Sequence, residues 1–251
     1  MTRGGRFSLF LMAIGPLTFL AIFVLWPLAQ SMYYSLTKWN GLSDPKFIGL
    51  DNFSRLLSDP NFIKSFENTA IWLIVAVTVP TILGLLLAVL LDRPLRGSRL
   101  YKSAFYLPIT LSLVVVGQVW TWIYQPNWGL LNAVLEAVGL EDMTRAWLGD
   151  PETALIAVIV AWCWQQTALA LILYLAALTT VPKDLLEAAA IDGANARQQF
   201  MRIIVPLLRP ASVVVITLAV INTLKGFDIV FVLTKGGPFH MSSNLAMFMY
   251  E

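Results

Sequence analysis

Two groups of residues carry the chemistry open to this chain. Trp162, Gln165 and Gln166 sit inside one long apolar run, and Asn222 inside another. Polar side chains at such depth are costly in a membrane and tend to mark a pathway. Trp162 and Gln166 are four apart, a spacing that shares one helix face. Amides offer donors and acceptors to hydroxyl groups, and an indole offers a flat C–H-binding face, so the mixture suits a sugar. The same amides also serve as hydrogen-bonding glue between membrane helices. Both readings stand on the sequence, and Gln118 in a third run is a weaker member of the group.

The second group is the polar island EAAAIDGANARQQF at 187–200, flanked by apolar runs. Pro182 has no amide hydrogen to lose and suits the first turn of a helix. Leu185, Leu186 and Ala189 then face the membrane side, with Asp184, Glu187 and Asp192 elsewhere. Gly193 adopts a left-handed stop without steric cost. Asn195 caps a second helix, and Gln198, three residues on, completes a capping box. Ala196, Phe200, Ile203 and Ile204 fall on one face of it, Arg197, Gln198 and Arg202 largely on the other, and Pro206 closes it. The spacing predicts a helix–turn–helix lying against the membrane. It serves equally as an amphipathic connector or as a docking element for a cytoplasmic protein.

Enzymatic chemistry finds no support. His240 is the only histidine and Cys163 the only cysteine, so neither a disulfide nor a His/Cys metal site can be built. No Gly-x4-Gly-Lys-Ser/Thr phosphate loop is present, since TKGGP at 234–238 has the order wrong. Net charge is +2, too small for a nucleic-acid binder.

The elements that position these groups follow from hydropathy. The chain has 251 residues, 58% hydrophobic and only 13% charged, against about 25% charged in a soluble domain. A membrane helix needs about 20 mostly apolar residues. Stretches 7–37, 68–91, 103–135, 153–182 and 210–224 carry no charge. They predict an all-α polytopic membrane protein with five spans, near 9–30, 70–91, 104–124, 154–178 and 211–233. The first is too long for a typical signal core and reads as a retained helix. Lys225 and Asp228 are three apart near the end of the fifth and are expected to pair on one helix face.

Orientation follows the cations. With the N-terminus inside, the inner segments hold ten: Arg3, Arg6, Arg93, Arg96, Arg99, Lys102, Lys183, Arg197, Arg202 and Arg209. The outer segments hold six over longer loops: Lys38, Lys46, Arg55, Lys64, Arg145 and Lys235. Trp26, Trp72, Trp120, Trp122 and Trp128 band the outer boundary, as amphipathic rings do. The polar island then lies in the cytoplasm, joining the fourth and fifth spans.

Glu187-Ala188-Ala189, then Gly193, then Ile203-x-Val205-Pro206 resembles the EAA loop of binding-protein-dependent ABC importer permeases, with Val205 where that family has Leu. EAAAIDGA and GFDIVFVLTKGGP (226–238) are similar to the carbohydrate-uptake branch, as are NTAIWLIVAV and YLPITLS. FLAIFVLWPLAQSMYYSLTKWNG is similar to the first permease of a heterodimeric pair. The resemblance implies that Glu187, Ala188, Ala189, Gly193, Ile203 and Pro206 couple to a separate ATPase. It implies a second permease subunit, two ATPase copies carrying ATP and Mg, and an extracytoplasmic solute-binding protein. No cofactor is implied in this chain itself, and lipid is its other partner. The setting implied is the cytoplasmic membrane of a bacterium or archaeon. The organisation expected is 1–69 for an N-terminal helix with an outer loop, and 70–251 for the transport core. The family usually has six spans, so NLAMFMYE (244–251) reads as the approach to a last helix the chain lacks. An ion-coupled carrier and a non-transporting scaffold are the alternatives.

Overall fold

The structure, a computed structural model, describes residues 3–92 and 97–251, with side chains described from Met12 onward except those of Ser98 and Arg99. Among the predicted inner cations, Arg93 and Arg96 lie outside the described residues, and so do the side chains of Arg3, Arg6 and Arg99. The chain divides into two compact units, Met1–Pro60 and Asn61–Glu251.

In the first unit, α1 (Arg3–Leu20), a π-turn (Ala21–Leu25) and α2 (Trp26–Ser35) run on as one apolar helix. Its Met12–Ser35 portion is long and apolar enough to cross a membrane. The π-turn ends where Trp26 donates to the Ala21 carbonyl, directly before Pro27. Proline lacks an N–H and crowds the carbonyl four residues back, and a widened turn relieves both. A short antiparallel pair follows, β1 (Thr37–Lys38) on β2 (Lys46–Phe47). The side chain of Asn52 in α3 (Asp51–Leu57) donates to the Ser35 and Thr37 carbonyls at 2.9 Å, tying that pair down.

The second unit opens with α4 (Pro60–Leu91). At 1.5 Å per residue its 32 residues reach about 48 Å, so the predicted second span is only its C-terminal two thirds. Ala76, Pro80, Gly84 and Ala88 recur every four residues on its buried face. Small residues let membrane helices approach closely. They do so here against α8 (Ala154–Leu178): a Cβ built on Gly84 would lie 2.5 Å from that of Ala170. The helix α8 is the central rod, with both hydrophobic clusters formed around it.

Between them the predicted third span is not one helix. It breaks into α5 (Ser98–Thr110) and α6 (Leu113–Ile123), bent by 106°. Pro108 weakens the end of α5, and Leu111 and Ser112 are extended. Ser112 then caps α6 by accepting from the Val115 amide at 3.4 Å. Pro108 and Ser112 were legible as a stop and a start, but uninterrupted hydropathy hid them. The segment between α6 and α8 carries α7 (Leu130–Ala137) and a 3-10 turn (Glu141–Met143).

After α8 come α9 (Lys183–Ile191), α10 (Ala196–Gln199), a second π-turn (Phe200–Ile204), α11 (Val205–Leu207) and α12 (Arg209–Leu224). Pro206 does not close the helix as expected. The π-turn just before it absorbs the missing N–H, with Val205 donating to Phe200, and the helix runs on to Leu207. The turn in direction, 67°, comes at Leu208, before Pro210. Lys225 then caps α12, and α13 begins at Asp228. The predicted fifth span is thus interrupted at Gly226 and Phe227. The expected Lys225–Asp228 pair does not form, because the two residues no longer share a helix face. A last short helix, α14 (Leu245–Phe248), ends the described chain. Among the described residues three helices are long and apolar enough to cross a membrane, or up to five if each bent pair is one span.

Candidate functional site

The polar island folds as its local chemistry dictates. Pro182 is extended and precedes α9. At the other end Gly193 has φ +82°. The Ala194 amide donates to the Ala189 carbonyl at 2.9 Å and the Gly193 amide to Ala190 at 3.1 Å. These are the two bonds that satisfy the last carbonyls of a helix ending in a left-handed residue. The second helix starts with the expected capping box: the Gln198 amide donates to Asn195 Oδ1 at 2.9 Å, and the Asn195 amide to Gln198 Oε1 at 2.8 Å. A two-helix element with a rigid turn results.

Its inner side is half-buried at Leu186, Ala189, Ile203 and Pro206. Leu185 was expected with them but is exposed, beside Glu187, Ala188 and Gly193. Ile191 is 87% exposed, a costly state for an isoleucine without a partner. The charges around it, Asp184, Glu187, Asp192, Arg197 and Arg202, form no ion pair within 4.0 Å among the described residues. A cavity of about 620 Å³ opens beside the element between Asp92, Leu178, Lys183, Glu187 and Ile204. The element thus presents an exposed isoleucine among charges of both signs.

The mid-membrane group is brought together only in part. Gln166 Oε1 accepts from Asn222 Nδ2 at 3.2 Å, joining α8 to α12. Trp162 is fully buried, edge-on to Trp72 of α4 with ring centroids 5.7 Å apart and planes at 89°. Gln165 turns elsewhere and donates through Nε2 to the Leu111 carbonyl at 2.6 Å, at the bend between α5 and α6. Gln118 is exposed on α6.

The open concave surface lies on another side of α8. A cavity of about 430 Å³ runs between α4, α5 and α8, lined among others by Val79, Leu83, Phe105, Trp120, Trp164 and Thr167. That size is in the range of small-molecule pockets. Trp164 is 37% exposed and stands edge-on to Trp120 at 6.0 Å. Residues two apart on a helix point about 200° from each other. Trp162 therefore faces the core while Trp164 faces the opening, and the sequence signal singled out the former. Cys163 also lines this cavity at 7% exposure, as a small apolar residue. Among the described residues no cluster of His, Cys, Asp or Glu could hold a metal ion.

Residues 80–250 match the family described as "Binding-protein-dependent transport system inner membrane component". The chain is 35% identical over 254 residues to "Probable ABC transporter permease protein YurN" of Bacillus subtilis, covering 100% of this chain and 87% of that protein. It is 33% identical over 243 residues to "Trehalose/maltose transport system permease protein MalF" of Thermococcus litoralis, covering 96% and 82%. Among solved structures it is similar to a chain of a bacterial ABC transporter involved in the import of the acidic polysaccharide alginate. The TM-score there is 0.83 at 22% identity, covering 98% of this chain and 84% of that one.

Proposed function

We propose that this chain, which belongs to the family of binding-protein-dependent transport system inner membrane components, is the permease subunit of an ATP-driven importer for a sugar or sugar-like solute. Several similar proteins are named as sugar permeases, which supports the solute class. The observation that carries the coupling role is the exposed two-helix element, covalently continuous with α8 on one side and α12 on the other. A push on it is delivered directly to the rods that hold the core.

In this reading the element lies in the cytoplasm of a bacterial or archaeal cell, with the N-terminus inside. A separate ATPase, with its own ATP and Mg, grips Glu187, Ala188 and the exposed side of the Gly193 turn. Ala189, Ile203 and Pro206 pack the element back onto the chain. A second permease faces the open cavity and completes the path, and an extracytoplasmic binding protein supplies the solute. Trp164 and Trp120 offer aromatic faces to the solute. Trp162, Gln166 and Asn222 form the framework behind them, close enough to enter the path if the helices part.

Purification of the ATPase with this chain tests the assignment. Glu187→Lys and Gly193→Asp are expected to lose the ATPase while inserting normally, and normal co-purification of both would refute the coupling role. In a Cys163→Ala background, Ile191→Cys should react with a membrane-impermeant maleimide only when the inner side is opened. Labelling in intact cells would overturn the orientation.

A further inference from the structure

We infer that Gln165 is a positioning residue. It holds the α5–α6 bend in place and makes that bend follow α8. The inference rests on the reading of the chain as a transport permease, and three observations carry it.

First, the bend frees a backbone acceptor. In a continuous helix the Leu111 carbonyl would accept from the Val115 amide, but that amide is taken by Ser112 Oγ. An unsatisfied carbonyl is not tolerated within a membrane, so a 106° bend at this depth needs an outside donor. Second, the donor comes from 54 residues away, at 2.6 Å, on a side chain only 5% exposed. The nearby Thr110 hydroxyl donates instead to the Leu107 carbonyl. Third, the two pieces joined there both reach the cavity of about 430 Å³, α5 through Phe105 and Pro108, α6 through Trp120. Gln165's own neighbours on α8, Cys163, Trp164 and Thr167, line the opposite wall.

The bond therefore ties the two walls together at the bend itself, while α6 is also held to α8 farther along by the Trp120–Trp164 edge contact and by Tyr124 Oη, which donates to the Ala157 carbonyl at 3.0 Å. Because α8 leads through Pro182 into α9, a displacement of the coupling element moves Gln165. The bend moves with it. Without the bond, α6 still follows α8 through its other contacts, but the bend is no longer fixed to α8, and ATP turnover is then separated from solute movement.

Spin labels at Leu100 and Val114, both exposed and on opposite sides of the bend, read its geometry in the full assembled complex in nanodiscs. The wild type should give one narrow distance distribution that shifts when ATP and vanadate are trapped. Gln165→Leu, which removes the donor, should broaden the distribution and abolish the shift. Gln165→His, which restores an N–H, should recover both. With maltose as the probe sugar in proteoliposomes, uptake by Gln165→Leu should fall about tenfold while ATP turnover stays within about twofold. That loss corresponds to about 1.4 kcal/mol, within the cost of an unsatisfied buried acceptor. A narrow distribution that still shifts in Gln165→Leu overturns the inference. Absence of maltose uptake in the wild type would instead count against the sugar reading, and the distance measurement would still decide the role of Gln165.

Discussion

Gly84 offers a sharp test of how the two principal helices meet. A Cβ at this position would lie 2.5 Å from Ala170 Cβ and 3.0 Å from both the Ala170 carbonyl carbon and the Leu171 nitrogen. Ordinary contact between such atoms begins near 3.5 Å. Gly84→Ala must therefore push α4 and α8 apart by about 1 Å, and two of the three obstacles are backbone that cannot rotate away. Overpacking of this kind costs about 1–3 kcal/mol. For a chain of this size each kcal/mol shifts the melting midpoint by about 2–4 °C, so a drop on the order of 5 °C is expected. Cys163 makes the assay simple. It is the only cysteine and is 7% exposed on α8, so a thiol-reactive fluorophore reports opening of this packing as the detergent-purified protein is heated. The double variant Gly84→Ala/Ala170→Gly removes the 2.5 Å contact but leaves the two at 3.0 Å, so it should regain about half of the loss. An unchanged midpoint for Gly84→Ala, or a double variant no better than the single, would refute the close crossing.

Two more outcomes follow from the site. Trp162→Ala empties a fully buried position against Trp72 and should destabilise by about 3–5 kcal/mol, whereas Trp164→Ala should leave the thiol-melting midpoint nearly unchanged and reduce solute uptake; equal loss of stability in both would contradict the opposite facing of the two rings. Asn195→Ala removes the side chain that accepts from the Gln198 amide and should cost about 1 kcal/mol of local helix stability, read as faster hydrogen exchange at Gln198 with no change at α8.

The two-helix element was legible almost bond by bond. Its stop at Gly193 and its capping box at Asn195 and Gln198 involve groups within six residues of one another, and such bonds are available to the chain before it packs. Leu185 was misplaced because an element with apolar residues on two sides does not say which side meets the membrane. Pro206 was read as a terminator because a π-turn of five residues has no sequence signature beyond the proline it serves. In the apolar runs the same ambiguity is general. Lipid-facing and core-facing positions of α8 are both apolar, so periodicity cannot distinguish Trp162 from Trp164.

From the sequence alone come the membrane as solvent, the place of the apolar runs and the exposed two-helix element between them. These depend on residue type and on contacts a few residues long. Tertiary structure decided that the third run bends at Leu111 and Ser112, that Gln165 satisfies the carbonyl exposed there, and that the opening is walled by Trp120 and Trp164. Those outcomes join residues tens of positions apart. They are settled by which helix surfaces are small enough to approach, as at Gly84 and Ala170, and no stretch of chain read by itself contains that information.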